Sequence, residues 1–272
     1  MKQKRLTAAF SMLELIFVIV ILGIVASIGS EMIAKVYEGY IVQRAEHRAT
    51  MKTELAATQI ANRLASAIPG TVYRIRKSDN GYEPVDSDFG GLSGDDYKGL
   101  KWVGSDTDSF RATATPGWSG FCDIDDPANS VNSISTPGSA LGTTTTIINN
   151  LSAATPAPKI YFPYDSTEYN ASISGTTITL TGTGASHIVE HYKLAWSSYA
   201  LVVDQTDGHL YLYYDFAATP TAAVGTTRSL LMKNVSTFKF QGAGRTIRFK
   251  ICKDENIGED FNITACKEKA VF

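Results

Sequence analysis

The chain has 272 residues, of which 44% are hydrophobic, 10% aromatic and 19% charged. That composition excludes a wholly disordered or collagen-like polypeptide and leaves enough apolar side chains for a core. With 25 basic against 27 acidic residues the formal charge is −2, so no global basic field gathers nucleic acid, and three cysteines without a paired CxxC spacing exclude a zinc ribbon.

Lys2, Lys4 and Arg5 form a short basic head, and Phe10 to Ile28 follows as an apolar run broken only by the charge of Glu14. About 20 helical residues cover about 30 Å of hydrocarbon, so residues 10–30 are expected to cross a bilayer once. The basic head keeps the N-terminus cytoplasmic and exports everything from Glu31 onward. A carboxylate near the middle of a membrane helix costs roughly 3 kcal/mol, which calls for a partner. Cleavage after Ala9 would free an amine on Phe10 about one turn from Glu14, within reach of that carboxylate in a neighbouring chain. Two other readings stand beside this one: a tolerated acid in an uncleaved anchor, and a secretory signal peptide cut near Gly29. The glutamate inside the apolar core argues against the second.

Ala9-Phe10-Ser11-Met12-Leu13-Glu14-Leu15, followed by the apolar run with Gly23, resembles the class III signal of type IV prepilins and type II secretion pseudopilins. The resemblance implies that residues 1–9 are a leader removed by prepilin peptidase between Ala9 and Phe10. It also implies N-methylation of Phe10 and an assembly role for Glu14 as the fifth mature residue. Ala9 departs from the pattern, which usually has glycine there. Loss of the leader takes three basic groups away and the formal charge from −2 to −5.

From Glu31 to Ile68 there is no proline. Ile33, Val36/Tyr37, Tyr40/Ile41, Ala45, Ala49, Leu55/Ala56, Ile60, Leu64 and Ile68 recur at mostly three-to-four-residue spacing, one apolar stripe on a continued helix. Pro69-Gly70 supplies its stop, so residues 31–70 read as the amphipathic half of a helix running from Phe10 to Ile68. Gly23, Gly29 and Gly39 are candidate points for bending or melting.

After Ile68 the period changes to two. Strands are expected at Val72–Arg76, Ile160–Tyr164, Ser172–Leu180 and Leu194–Val203. Asp207-Gly208 predicts a hairpin, and Gly242-Ala243-Gly244 a second one between Phe238/Phe240 and Ile247/Phe249/Ile251. Residues 116–158, rich in Ser, Thr, Asn, Gly and Pro, read as a loop-rich surface excursion. The expected fold is therefore α+β, and the resemblance implies that it is pilin-like: a long N-terminal helix, transmembrane in its first part, packed on an antiparallel β head (71–272) with a long irregular insertion.

Export makes disulfides available. Cys252 and Cys266 flank a loop of about 15 residues whose closure would contribute roughly 3 kcal/mol, and Cys122 is then left over. Three single pairings are open from sequence; pilin-like heads often carry a comparable C-terminal disulfide, which by resemblance favours Cys252 with Cys266. His187-Ile188-Val189-Glu190-His191 matches the inverted zincin pattern H-x-x-E-H, which demands a helix, whereas the flanking sequence runs from loop toward strand. A zinc hydrolase is accordingly the least favoured reading, and no enzymatic activity, cofactor or metal is expected. Asp123, Asp125 and Asp126, and Asp254, Glu255, Glu259 and Asp260, invite calcium but lack an EF-hand pattern and read as solvated loop acids. Glu168-Tyr169-Asn170-Ala171-Ser172 and Asp260-Phe261-Asn262-Ile263-Thr264 resemble an extended acidic glycosylation sequon, making Asn170 and Asn262 candidate acceptors.

Leu230 to Phe240 loosely resembles a segment of J-type minor pseudopilins. The N-terminal resemblance implies a minor pseudopilin or pilin, a single-pass protein of the bacterial inner membrane with its head in the periplasm or in an extracytoplasmic filament. Its partners would be prepilin peptidase, other pilins or pseudopilins, an inner-membrane platform with its assembly ATPase, and membrane lipid. The alternative is a filament-presented binding module for DNA uptake, adhesion or a secreted substrate. For DNA, Lys98, Lys101, Trp102, Arg111 and Trp118 offer only a loose basic and aromatic scatter.

Overall fold

The computed structural model describes residues 11–112, 115–153, 157–163, 165, 167–182, 184–258 and 261–272. Helix α1 (Met12–Leu64) runs unbroken through Gly23, Gly29 and Gly39 for 53 residues, about 80 Å at 1.5 Å per residue. It ends at Leu64 and not at the expected Ile68. The Ser66 amide donates to Arg63 O at 3.3 Å and the Ala67 amide to Leu64 O at 2.9 Å, closing a tight last turn. The Ile68 amide then donates to Val103 O at 2.9 Å. Residues 66–68 have thus left the helix for the sheet, and the ring of Pro69 favours that extended backbone before it.

In chain order β1 (Tyr73–Arg76), β2 (Tyr82–Pro84) and β3 (Tyr97–Gly104) follow, then α2 (Thr107–Phe110), β4 (Ser133–Ser135), α3 (Leu141–Leu151), β5 (Lys159–Tyr161), β6 (Glu168–Ser174), β7 (Thr177–Thr181) and β8 (Lys193–Ala195). The chain closes with β9 (Ser197–Val203), β10 (Leu210–Phe216), β11 (Arg228–Met232), β12 (Val235–Ala243), β13 (Thr246–Asn256) and β14 (Asn262–Val271). They form three antiparallel sheets: β11-β10-β9-β3-β1-β2, β12-β13-β14 and β4-β7-β6-β5-β8.

The first two sheets close over the last turns of α1 in one core that includes Ile60, Leu64, Leu100, Trp102, Leu201, Phe249 and Ile251. The buried helical residues are Ala49, Thr53, Ala56, Ala57, Ile60 and Leu64. Small residues at four of those six positions let β14 approach closely: Thr53 Oγ1 donates to Ala49 O at 2.8 Å and to Ala265 O at 3.4 Å. Ile60 and Leu64 supply the larger apolar area, about 1.5–3 kcal/mol each.

The five-stranded sheet has its own core, with Trp118, Cys122, Ile134, Leu141, Ile160, Ile178 and Leu194. Much of segment 116–158, expected as a surface excursion, is therefore part of a packed unit between β3 and β9. Its helix α3 buries Leu141, Thr144 and Ile148 at i, i+3 and i+7. Two expected strands are each split. Ser172–Leu180 is the hairpin β6/β7, turning at Gly175 with φ 60°. Leu194–Val203 is two strands in different sheets, β8 beside β5 and β9 beside β3, because the chain crosses between the sheets at Trp196. Both glycine hairpins form as expected, with Val203 opposite Leu210 and Ala243 opposite Thr246. Gly208 (φ 66°) and Gly244 (φ 60°) take the left-handed conformation that their turns require.

Candidate functional site: the exposed half of the helix

The N-terminus of α1 is built by Ser11, whose hydroxyl accepts from the Glu14 amide at 3.2 Å while its carbonyl accepts from Leu15 N at 3.2 Å. Ser11-Met12-Leu13-Glu14 is thus an N-cap followed at its third helical position by an acid, a pattern that went unread in the sequence. Glu14 was expected near the middle of a membrane helix; the structure puts it in the first turn of the described helix. There the unpaired amides and the helix dipole favour a carboxylate. Ala9 and Phe10, the residues of the expected cut, lie outside the described residues.

Beyond this cap α1 carries an apolar surface that its own head leaves bare. The helix is long and apolar enough to cross a membrane, and none of its most apolar 18-residue window is buried. The stripe anticipated from Ile33 onward divides. Ile33 is 72% and Tyr37 65% exposed, whereas Ile60 is 1% exposed, and burial begins only at Ala49. Leu55, placed by spacing on the buried stripe, is exposed, because the neighbours Ala56 and Ala57 face the head instead. Gly29, Met32, Ile33, Val36, Tyr37 and Tyr40 form one concave apolar surface on the bare part.

Polar contacts hold the helix to the head at the boundary. Glu54 meets Lys267 at 2.7 Å and Lys269 at 2.9 Å, and these ammonium groups hold its carboxyl at about 2, well below the ordinary value. Lys269 also donates to Thr58 Oγ1 at 2.8 Å, and Arg48 lies 3.9 Å from Glu255. The head is thereby clasped to residues 48–64.

The other anticipated residues are dispersed. Cys252 and Cys266 are bonded, directly opposite each other on β13 and β14, with Cα atoms 4.1 Å apart, and Cys122 is a buried free thiol. Asn170 on β6 and Asn262 at the start of β14 are exposed; Asp260 lies outside the described residues. His187 to Glu190 are not helical, and the Glu190 carbonyl accepts from Cys122 N at 2.7 Å while His191 bridges to Phe121. The two histidines therefore do not share a helix face as the zincin pattern requires. Among the described residues no group of three or more His, Cys, Asp or Glu could hold a metal ion. Asp254 accepts from Thr264 Oγ1 at 2.7 Å, and Glu255 pairs with Lys253, while Glu259 falls outside the described residues.

The basic and aromatic scatter does not assemble into a surface. Lys101 and Trp102 are fully buried, on opposite faces of β3; Lys98 binds Asn80. Trp118 is buried with its Nε1 donating to Asp106 O at 2.9 Å, which leaves Arg111 as the exposed member beside it. No family model, curated protein or solved structure matches the chain. The long apolar helix on an antiparallel, disulfide-bonded β head is compatible with a pilin-like architecture and with a single-pass membrane anchor.

Proposed function

We propose that this chain is a minor pseudopilin or minor pilin, a structural filament subunit and not an enzyme. Prepilin peptidase removes residues 1–9, Phe10 becomes the methylated N-terminus, and the subunit waits in the inner membrane with its head outside the cytoplasm. An assembly ATPase acting through a membrane platform then draws it into a type II secretion or type IV pilus-like filament with other pilins or pseudopilins. There the helix exchanges lipid for neighbouring helices and Glu14 meets an adjacent Phe10 amine.

The observation that carries this reading is the conjunction of the Ala9-Phe10…Glu14 motif with a helix whose apolar face is left bare by its own head from Met12 to Tyr40. Intact-mass and N-terminal analysis of membrane-extracted protein tests it, with loss of residues 1–9 and one added methyl group expected. Retention of Lys2, Lys4 and Arg5 would reduce the protein to a tethered envelope protein. A second readout separates the roles open to Glu14. Glu14→Gln keeps a side chain able to reach back to the cap, so the helix persists, while the charge that would meet the amine is gone. Filament incorporation is expected to fail for Glu14→Gln and Glu14→Ala alike, and normal incorporation of the Gln variant would refute the charge pairing.

A further inference from the structure

The last turns of α1 lie across the inner face of the six-stranded sheet and reach β11, and beside them is a groove of about 560 Å³. Its apolar floor is Leu201, Leu212 and Leu231, one from each of the strands β9, β10 and β11, and its helical wall is Gln59, Ile60 and Arg63. Through Ala65, Ser66, Thr107 and Arg111 it joins a second stretch of about 420 Å³ along the seam with the inserted unit, which ends at His191 and Lys193.

Three features of this channel point to one kind of occupant. First, Arg63, Arg111 and Lys193 line it and neither stretch includes an aspartate or glutamate, in a chain whose formal charge is −2. Among the described residues none of the three cations has a carboxylate within ion-pair distance, although Arg63 lies over the Tyr199 ring at 5.6 Å. Second, the leucine floor offers apolar contact. Third, β11 is the terminal strand of its sheet, so its outward backbone groups are available to an added strand. A nucleic acid fits less well, because of Phe110, Trp118 and Tyr192 at the seam only Phe110 is exposed, at 45%, while the other two are 3% and 2% exposed, so successive bases meet no run of stacking platforms.

We propose that this groove binds an extended acidic segment of a partner polypeptide, pairing its backbone with the β11 edge. The side chains facing the groove, every second residue of the segment, present carboxylates to Arg63 and Arg111 and an apolar group to Leu231. The inference is independent of leader processing and of filament assembly. Full-length protein in zwitterionic lipid nanodiscs therefore suffices for the test, and its failure leaves the reading above standing.

The probes are a labelled dodecapeptide of three Asp-Ser-Val-Ser repeats, which puts Asp and Val on the same strand face, its counterpart with Lys for Asp and a dodecameric oligothymidylate, followed by fluorescence anisotropy against empty nanodiscs. Saturable, salt-sensitive binding of the acidic peptide is expected. The Arg63→Gln, Arg111→Glu double variant should weaken it by about tenfold or more, and amide exchange across Arg228–Met232 should slow on binding. Comparing the two peptides on unaltered protein keeps the test decisive if the variant misfolds. Equal binding of both peptides would overturn the proposal, as would tighter binding of the oligonucleotide or unchanged exchange at β11. So would self-association that the same substitutions abolish, because the acidic loop Asp123–Asp126 with exposed Ile124 would then make a second copy the occupant.

Discussion

Lys101 should make the stability of the head rise with pH where exposed lysines leave it flat. It is fully buried on β3, its Nζ donating to Pro220 O at 2.9 Å and to the Ala222 carbonyl, 4.5 Å from the centre of the Tyr82 ring. Burial pulls its ammonium down to about 8 from the ordinary 10.5, with the charge of Glu168 acting the other way. Below pH 8 folded and unfolded chains both hold the proton, and the folded state carries the full cost of burying the charge. Between 8 and 10.5 the unfolded chain holds one proton more, so stability increases through that window, by about 3 kcal/mol over its whole width. Burial also raises the thiol of Cys122 and the phenols of Tyr97, Tyr192 and Tyr199, and those groups lower stability toward the alkaline end. Lys101→Met retains all four, so subtraction cancels them. Urea unfolding of detergent-solubilised full chain, followed by tryptophan fluorescence from about pH 7.5 to about 9.5, should show wild type gaining on the order of 1–2 kcal/mol relative to the variant. Parallel curves would refute the claim that the folded head buries this lysine as a charge.

Ile60→Ala should remove about 3 kcal/mol by opening a cavity between α1 and the sheets, because Ile60 is 1% exposed in the shared core. The same urea assay reads it, and a loss below about 1 kcal/mol would mean that this face does not fasten the helix. Replacing Cys252 and Cys266 together by serine should lower stability by roughly 3 kcal/mol, the chain-entropy value for a separation of 14 residues. Unchanged midpoints in non-reducing denaturant would show that the hairpin β13/β14 holds without its bridge.

What could be read from the sequence followed from local chemistry. Gly208 and Gly244 announced their hairpins because a turn demands a left-handed residue between alternating strands, and the apolar run of α1 announced a helix by length alone. Gly175 carried the same kind of signal for the β6/β7 turn, and the apolar phase shifts across it from Ala171 and Ile173 to Ile178 and Leu180, a change of parity that marks the reversal and went unread. Helix α3 is poor in strong helix formers, with a run of threonines from Thr143 to Thr146 and a Gly at its second residue, so only tertiary burial of Leu141 and Ile148 makes it visible. The groove could not be read at all. Its floor comes from three strands and its cations from the end of α1 and the loop after α2, and no local spacing relates them.

The split of the apolar stripe bears most directly on what the helix does. A bilayer crossing by residues 10–30 uses about 30 Å of helix. Met32 to Ile41 extend about 15 Å beyond it, outside the hydrocarbon, yet Met32, Ile33, Val36, Tyr37 and Tyr40 are each at least 58% exposed. A helix needed only to tether the head would turn polar once it left the lipid, because apolar surface in water is unfavourable by about 25 cal/mol per Å². No helix residue before Ala49 is fully buried, Val42 and Ala45 being only half-buried, and the charged residues of this stretch, among them the pair Glu31 and Lys35 at 2.7 Å, leave the apolar face uninterrupted. In the filament proposed above, cover for that face comes from another polypeptide lying alongside. A helix packed among its neighbours has a use for such a face, and the proposed filament reading draws on that.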